Sequence, residues 1–133
     1  MKYDFLVDRK KILVSAQIES IDDCVDFKFI LDTGASTTII SENVAIRLGF
    51  DLKSLETGDR LMTAGGSMHS KTLTLSKLRL FGKDMINFEV NVLKLPPQIT
   101  YFADGLIGMD FLLQFKNIKF DFETKTITLH EYC

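Results

Sequence analysis

Apolar residues recur at every second position along several stretches of this chain, and a period of two is the pattern of half-buried strands. Ile12, Val14, Ala16 and Ile18 alternate with Lys11, Leu13, Ser15 and Gln17. Val25, Phe27, Phe29 and Leu31 alternate with Cys24, Asp26, Lys28 and Ile30, and Ile86, Phe88, Val90 and Val92 keep the same period. Ile118, Phe120 and Phe122, then Ile127 and Leu129, predict two final strands joined by a turn at Glu123-Thr124-Lys125. Between Leu73 and Leu80 the alternation slips: Leu73 and Leu75 hold one phase, Leu78 and Leu80 the other. A slip of one residue exchanges the buried face, so a bulge or sharp bend is expected at Ser76-Lys77. Two short helices are expected. Ser41 caps one that carries Val44, Ala45 and Leu48 and stops at Gly49; Asp110 caps another from Phe111 to about Phe115. Pro96-Pro97 marks a loop. The expected class is all-β, a closed barrel of short antiparallel strands with one or two short helices.

The 133 residues form a single expected domain, 1–133, since a domain typically takes roughly 100–200 residues. Hydrophobic residues make up 46%, including eleven Phe and no Trp, which excludes a disordered chain and fills a core with rings. Sixteen Lys and Arg against eighteen Asp and Glu give a net charge of −2, so no broad basic footprint for nucleic acid exists. The basic cluster Arg9-Lys10-Lys11 sits beside Asp8. No apolar run exceeds three residues, far below the ~20 of a membrane helix. The first residues lack a signal-peptide core, and Cys24 and Cys133 make no disulfide framework, so a reducing cytoplasmic setting is expected.

One segment concentrates the chemistry. In Phe29-Ile30-Leu31-Asp32-Thr33-Gly34-Ala35-Ser36-Thr37-Thr38-Ile39-Ile40 a carboxylate lies between two strongly apolar, β-favouring runs. Partial burial of such a group is costly unless something uses or compensates it. Thr33 adds a hydroxyl, and Gly34 removes a Cβ, which permits close approach and a positive φ. The plain alternative is a strand–turn–strand in which Asp32 caps the turn. A second segment, Asp104-Gly105-Leu106-Ile107-Gly108-Met109-Asp110-Phe111-Leu112, places two apolar residues and a Gly ahead of a short helix.

Together, Asp32-Thr33-Gly34-Ala35-Ser36 and Leu106-Ile107-Gly108 resemble the retropepsin-like aspartic protease family, in particular its small single-lobe bacterial members. The likeness runs over about residues 11–130. It implies the retropepsin-like barrel and hydrolysis of peptide bonds, with neither metal nor cofactor. Asp32 would be the catalytic carboxylate, Thr33 would bond across to its symmetry mate, and Gly34 would admit the substrate backbone. Thr63-Ala64-Gly65-Gly66-Ser67-Met68 fits the family's mobile hairpin, with Ala64, Gly65 and Gly66 at or near a tip that closes over an extended peptide.

Family chemistry needs two carboxylates sharing one proton around a water. This chain carries one Asp-Thr-Gly, and Asp104 belongs to the same lobe as Asp32. A second copy of the chain must therefore bring the second Asp32, and a two-fold dimer does so by symmetry. The segment Lys125–His130 and the first residues are the strands expected to knit that dimer. Expected partners are thus a peptide or protein substrate and an identical subunit, with no nucleic acid and no membrane. Cys133 is expected to be a free thiol. Two other readings remain open: a catalytically silent or highly restricted peptide-binding and dimerisation module on the same fold, and a small β-barrel ligand carrier. Scattered His69, His130 and the two Cys show no metal-ligand spacing, and Ser67 lacks a nucleophile-elbow context.

Overall fold

The computed structural model describes residues 1–20, 23–63 and 66–133. In chain order these form β1 (Lys2–Asp4), β2 (Leu6–Asp8), β3 (Lys11–Glu19), β4 (Cys24–Leu31), β5 (Ile39–Ser41), α1 (Glu42–Arg47), β6 (Glu56–Thr63), β7 (Gly66–Leu80) and β8 (Lys83–Leu93). Then follow α2 (Pro97–Thr100), β9 (Gly105–Ile107), α3 (Met109–Leu112), β10 (Phe115–Asp121) and β11 (Thr126–Glu131). The class is all-β, as the alternation predicts.

Strand pairing runs from β3 through β4, β9, β5, β8 and β7, and β7 pairs again with β3 through Gln17↔Arg79, Ile18↔Leu78 and Glu19↔Lys77. The expectation of antiparallel strands needs correction, because β4–β9 and β5–β8 are parallel. Strand β9 lies between β4 and β5, the two strands that flank the Asp32 loop, so it meets one in parallel and the other antiparallel. A separate sheet in the order β1-β11-β10 joins the two ends of the chain.

The phase slip is present. Leu73 and Leu75 are buried ahead of it, and Leu78 and Leu80 after it. The ladder to β8 passes from Leu75↔Phe88 to Lys77↔Ile86 without a change of register, so Ser76 and Asn87 face one another across a bend rather than a bulge. Asn87 takes φ 51°, the left-handed region, and both strands exchange faces there. Ile86, expected in the core with Phe88, is for that reason 62% exposed. The Ser76 hydroxyl donates to the Glu19 carbonyl at 3.0 Å, which ties the bend to the end of β3.

The main core gathers Phe29, Phe111, Ile18, Ile40, Leu75, Leu78 and Ile107, all essentially inaccessible to water. At roughly 1.5–3 kcal/mol per fully buried large apolar side chain, this cluster is the dominant stabilising element. A second cluster forms on the opposite face, where Leu13, Ile30 and Ala103 pack with Ile99, Phe102 and Leu106. Leu13 and Ile30 are register partners, and both were expected to face outward. They are buried because α2 and the residues after it cover that end of the β3–β4 pair. Pro96-Pro97 is accordingly not a plain loop: Pro97 opens α2 at a position where a missing N–H costs nothing.

Helix α1 is as expected, with the Ser41 hydroxyl accepting from Val44 N–H and Gly49 at φ 94° just past its end. Helix α3 is not. It starts at Met109 after Gly108, Asp110 lies inside its first turn, and Phe115 already belongs to β10. The final hairpin forms as expected, with the Asp121 carboxylate accepting from the N–H groups of Glu123 and Thr124, both at 3.1 Å. No helix among the described residues is long and apolar enough to cross a membrane.

Candidate active site

Strand β4 delivers the chain to Asp32, whose N–H donates to the Ile107 carbonyl at 2.9 Å. Its own carbonyl accepts from Ala35 N–H at 3.1 Å, closing a turn. Its carboxylate accepts from Gly34 N–H through Oδ1 at 2.9 Å. Gly34 matters here through close approach, since a Cβ would stand 3.2 Å from that oxygen; its φ is not in the left-handed region that the sequence also allowed. Asp32 is half-buried, while Thr33 and Gly34 are exposed.

Behind the loop lies a polar bracket that the sequence reading did not identify. Asp110 Oδ2 accepts from Thr38 N–H at 2.9 Å, and Asp110 Oδ1 accepts from the Thr38 hydroxyl at 2.8 Å. Gly108 N–H in turn donates to that hydroxyl at 3.2 Å. Two backbone bonds run alongside, Met109 N–H to the Ala35 carbonyl at 2.8 Å and Asp110 N–H to the Ser36 carbonyl at 3.1 Å. On the other flank the Asn91 amide donates to the Thr37 hydroxyl at 2.7 Å, and its oxygen accepts from Ser70 at 3.2 Å. Thr38, Ser70 and Asn91 are buried polar residues with partners, which fixes their geometry. The Thr37-Thr38 pair lies between apolar runs and Asp110 follows Leu106-Ile107-Gly108, but local pattern does not reveal that they pair.

The glycines of that segment are required by contact. A Cβ on Gly108 would stand 2.5 Å from the Thr37 carbonyl carbon and oxygen and 2.8 Å from the Ala35 oxygen. A Cβ on Gly105 would strike the Ile39 carbonyl oxygen and the Phe29 ring.

Asp32 lines a groove of about 1210 Å³. Its lining includes Ile12, Ile30, Leu106 and Ile99, together with Arg60, Leu61, Met62 and Met68 of the β6–β7 hairpin. That hairpin is the segment expected to close over a peptide, with Arg60↔His69, Leu61↔Met68, Met62↔Ser67 and Thr63↔Gly66 in register. Gly66 opens β7 at φ 110°. Ala64 and Gly65, the other two expected tip residues, lie outside the described residues. Arg60 holds the hairpin's polar face, donating to the Ser67 hydroxyl at 2.8 Å and meeting His69 Nε2 at 2.6 Å.

The strands expected to knit the dimer lie together in the terminal sheet. Lys125–His130 falls largely on β11, which is paired on both sides within its own chain, by β1 and by β10. On the β1 side the pairing covers Thr126–Thr128, with Met1 bonded to Leu129.

Comparison with known proteins agrees with this geometry. The aspartyl protease family profile matches residues 14–111. An uncharacterized protein of Rickettsia prowazekii (strain Madrid E) is 30% identical over 104 residues, a stretch covering 76% of this chain and 42% of that protein. The chain thus spans about two-fifths of the length of this curated relative. Among solved structures, a retropepsin-like aspartic protease from Rickettsia conorii superposes with a TM-score of 0.73 at 27% identity, over 97% of this chain and 89% of that one. EIAV protease in complex with the inhibitor HBY-793 gives a TM-score of 0.61 at 19% identity, over 79% and 88% of the respective chains, a likeness of fold. With the profile covering the Asp32 loop, the hairpin and the Leu106-Ile107-Gly108 segment together, this chain belongs to the aspartyl protease family and is retropepsin-like.

Proposed function

We propose that the protein is an aspartic endopeptidase whose active site is completed by a second copy of the chain. The observation that carries this reading is the setting of Asp32: a half-buried carboxylate on a rigidly bracketed loop, lining a groove beneath a β-hairpin, with one oxygen engaged by Gly34 N–H. The neighbouring Thr33 and Gly34 are exposed, which leaves the loop accessible to its symmetry mate.

In the dimer the two Asp32 carboxylates flank one water and share one proton, because like charges at contact distance do not both ionise. The ionised carboxylate takes a proton from the water as its oxygen attacks the scissile carbonyl carbon. The protonated one donates to the carbonyl oxygen. Collapse of the tetrahedral species returns a proton to the amide nitrogen, the C–N bond breaks, and an acid and an amine leave. Thr33 bonds across the dyad and holds the two loops in register. Gly34 admits the substrate backbone, and the β6–β7 hairpin closes over the peptide. The peptide lies extended, held by main-chain hydrogen bonds, with alternate side chains in the groove. A cytoplasmic location belongs to the same proposal; its support is the pair of exposed cysteines, Cys24 and Cys133, which an oxidising compartment would engage.

The test is cleavage of a peptide library between about pH 4 and 7, with sedimentation of the same sample and Asp32→Asn as control. Cleavage by a dimer, abolished by the substitution, supports the reading. A dimer that cleaves nothing points to a silent module, and an inactive monomer to a ligand carrier.

A further inference from the structure

We propose that the groove selects peptides carrying acidic side chains beside an aliphatic core, an inference that rests on its reading as a peptide groove. The groove is strongly cationic in a chain whose net charge is −2. Lys10, Lys11, Arg60 and Lys94 all line it, and Asp32 is the lone carboxylate among its described lining residues. All four cations are exposed. The ion pairs among the described residues engage Arg9, Lys77, Arg79 and Lys83 instead. Arg60 is held by the uncharged Ser67 hydroxyl and a ring nitrogen of His69, and no ion pair among the described residues engages it.

The β2–β3 turn explains how two of these lysines come to the groove. Asp8 pairs with Lys11 across a two-residue loop, and both central residues are left-handed, Arg9 at φ 49° and Lys10 at φ 62°. Such a turn normally takes Asn-Gly, so a non-glycine pair here is held by its surroundings. Arg9 provides the hold: its guanidinium lies 4.8 Å from the Phe102 ring centre and 5.4 Å from that of Tyr101, and it pairs with Asp8 at 3.0 Å. Asp8 is thus engaged by Arg9, and no ion pair among the described residues engages Lys10 or Lys11, which line the groove.

The remaining lining is mainly aliphatic, which strengthens attraction between these cations and an anionic ligand. It also favours a peptide over a nucleic acid, since no aromatic side chain among the described lining residues offers a base a stacking surface.

The test uses fluorescence anisotropy with the Asp32→Asn protein and three labelled ten-residue peptides. They share one aliphatic centre and differ in flanking Glu, Gln or Lys; a thymidine oligonucleotide is the fourth probe. The Glu peptide is expected to bind about ten-fold tighter than the Gln peptide at low salt, with the advantage shrinking as salt screens it. Lys11→Glu combined with Lys94→Glu is expected to reverse the order toward the Lys peptide; Lys94→Glu alone serves if the pair fails to fold. Equal binding of Glu and Gln peptides, oligonucleotide binding as tight as the Glu peptide, no binding of any peptide, or an unchanged order in the variant would each overturn the proposal. Wild-type cleavage separates the two readings. A Gln peptide cut as fast as the Glu peptide removes charge selection and leaves the protease; a Glu peptide selectively bound and never cut removes the protease and leaves charge selection.

Discussion

Asp110 grips Thr38 with both carboxylate oxygens, one on the backbone N–H at 2.9 Å and one on the side-chain hydroxyl at 2.8 Å. Thr38 is fully buried, so neither of its donors can turn to water if the carboxylate is lost. Asp110→Ala is expected to cost about 2–4 kcal/mol of stability, the sum of two unsatisfied buried donors. Asp110→Asn, which keeps one acceptor, is expected to recover part of that loss. Urea denaturation of the two variants measures both, and equal stability of Asp110→Ala and wild type would show the grip to be incidental.

Gly108 tolerates no side chain for a different reason. Its would-be Cβ meets backbone atoms of Thr37 and Ala35, which cannot rotate away. Gly108→Ala should therefore destabilise by about 3 kcal/mol through overpacking. The Asp32 loop would shift with it, so thermal melting and activity are expected to fall together.

At the bend, Asn87 carries the left-handed conformation opposite Ser76. Asn87→Gly is expected to be neutral or slightly stabilising. Asn87→Val is expected to lose about 1–2 kcal/mol, the cost of a β-branched residue in that region. Chemical denaturation of the pair checks the ranking; a Val variant as stable as the Gly variant would remove the bend's dependence on this residue.

Asp121 titrates below the ordinary carboxylate value, chiefly because the Thr124 N–H stabilises its charged form, with a smaller contribution from Glu123 N–H. A depressed folded-state pKa means the hairpin's hold is present above the unfolded value of 3.8 and is lost as pH falls through the lower, folded one. The Thr124 and Glu123 amide resonances should therefore shift in that acidic window, and Asp121→Asn should abolish the shift.

Much of this architecture was legible because it follows from local alternation. Ile18, Phe27 and Phe29 are buried as their period requires, and the slip at Ser76 appears as a real change of face. What escaped notice depends on contacts remote in sequence. Leu13 and Ile30 read as outward because their covering residues, from Ile99 to Leu106, lie far along the chain. Asp110 read as a helix cap because an acid ahead of Phe111 fits one locally, and its carboxylate does accept from Phe111 N–H at 2.8 Å; its other partner, Thr38, is 72 residues away. The parallel pairing of β4 with β9 likewise comes from chain threading, which periodicity does not encode. At the site, Asp32 and Gly34 were legible as a motif, whereas the Asp110, Thr38 and Asn91 bracket was not.

Asp32→Asn is expected to lower cleavage by at least ~10²-fold, as removal of an acid–base group does, while fold and dimer persist. Mixing this variant with wild type tests the shared site most directly. After subunit exchange in an equal mixture, only dimers with two wild-type chains are active, so cleavage is expected to fall to about a quarter of the all-wild-type rate at the same total protein. A fall to about one half, the value for chains that each hold a whole site, would contradict it.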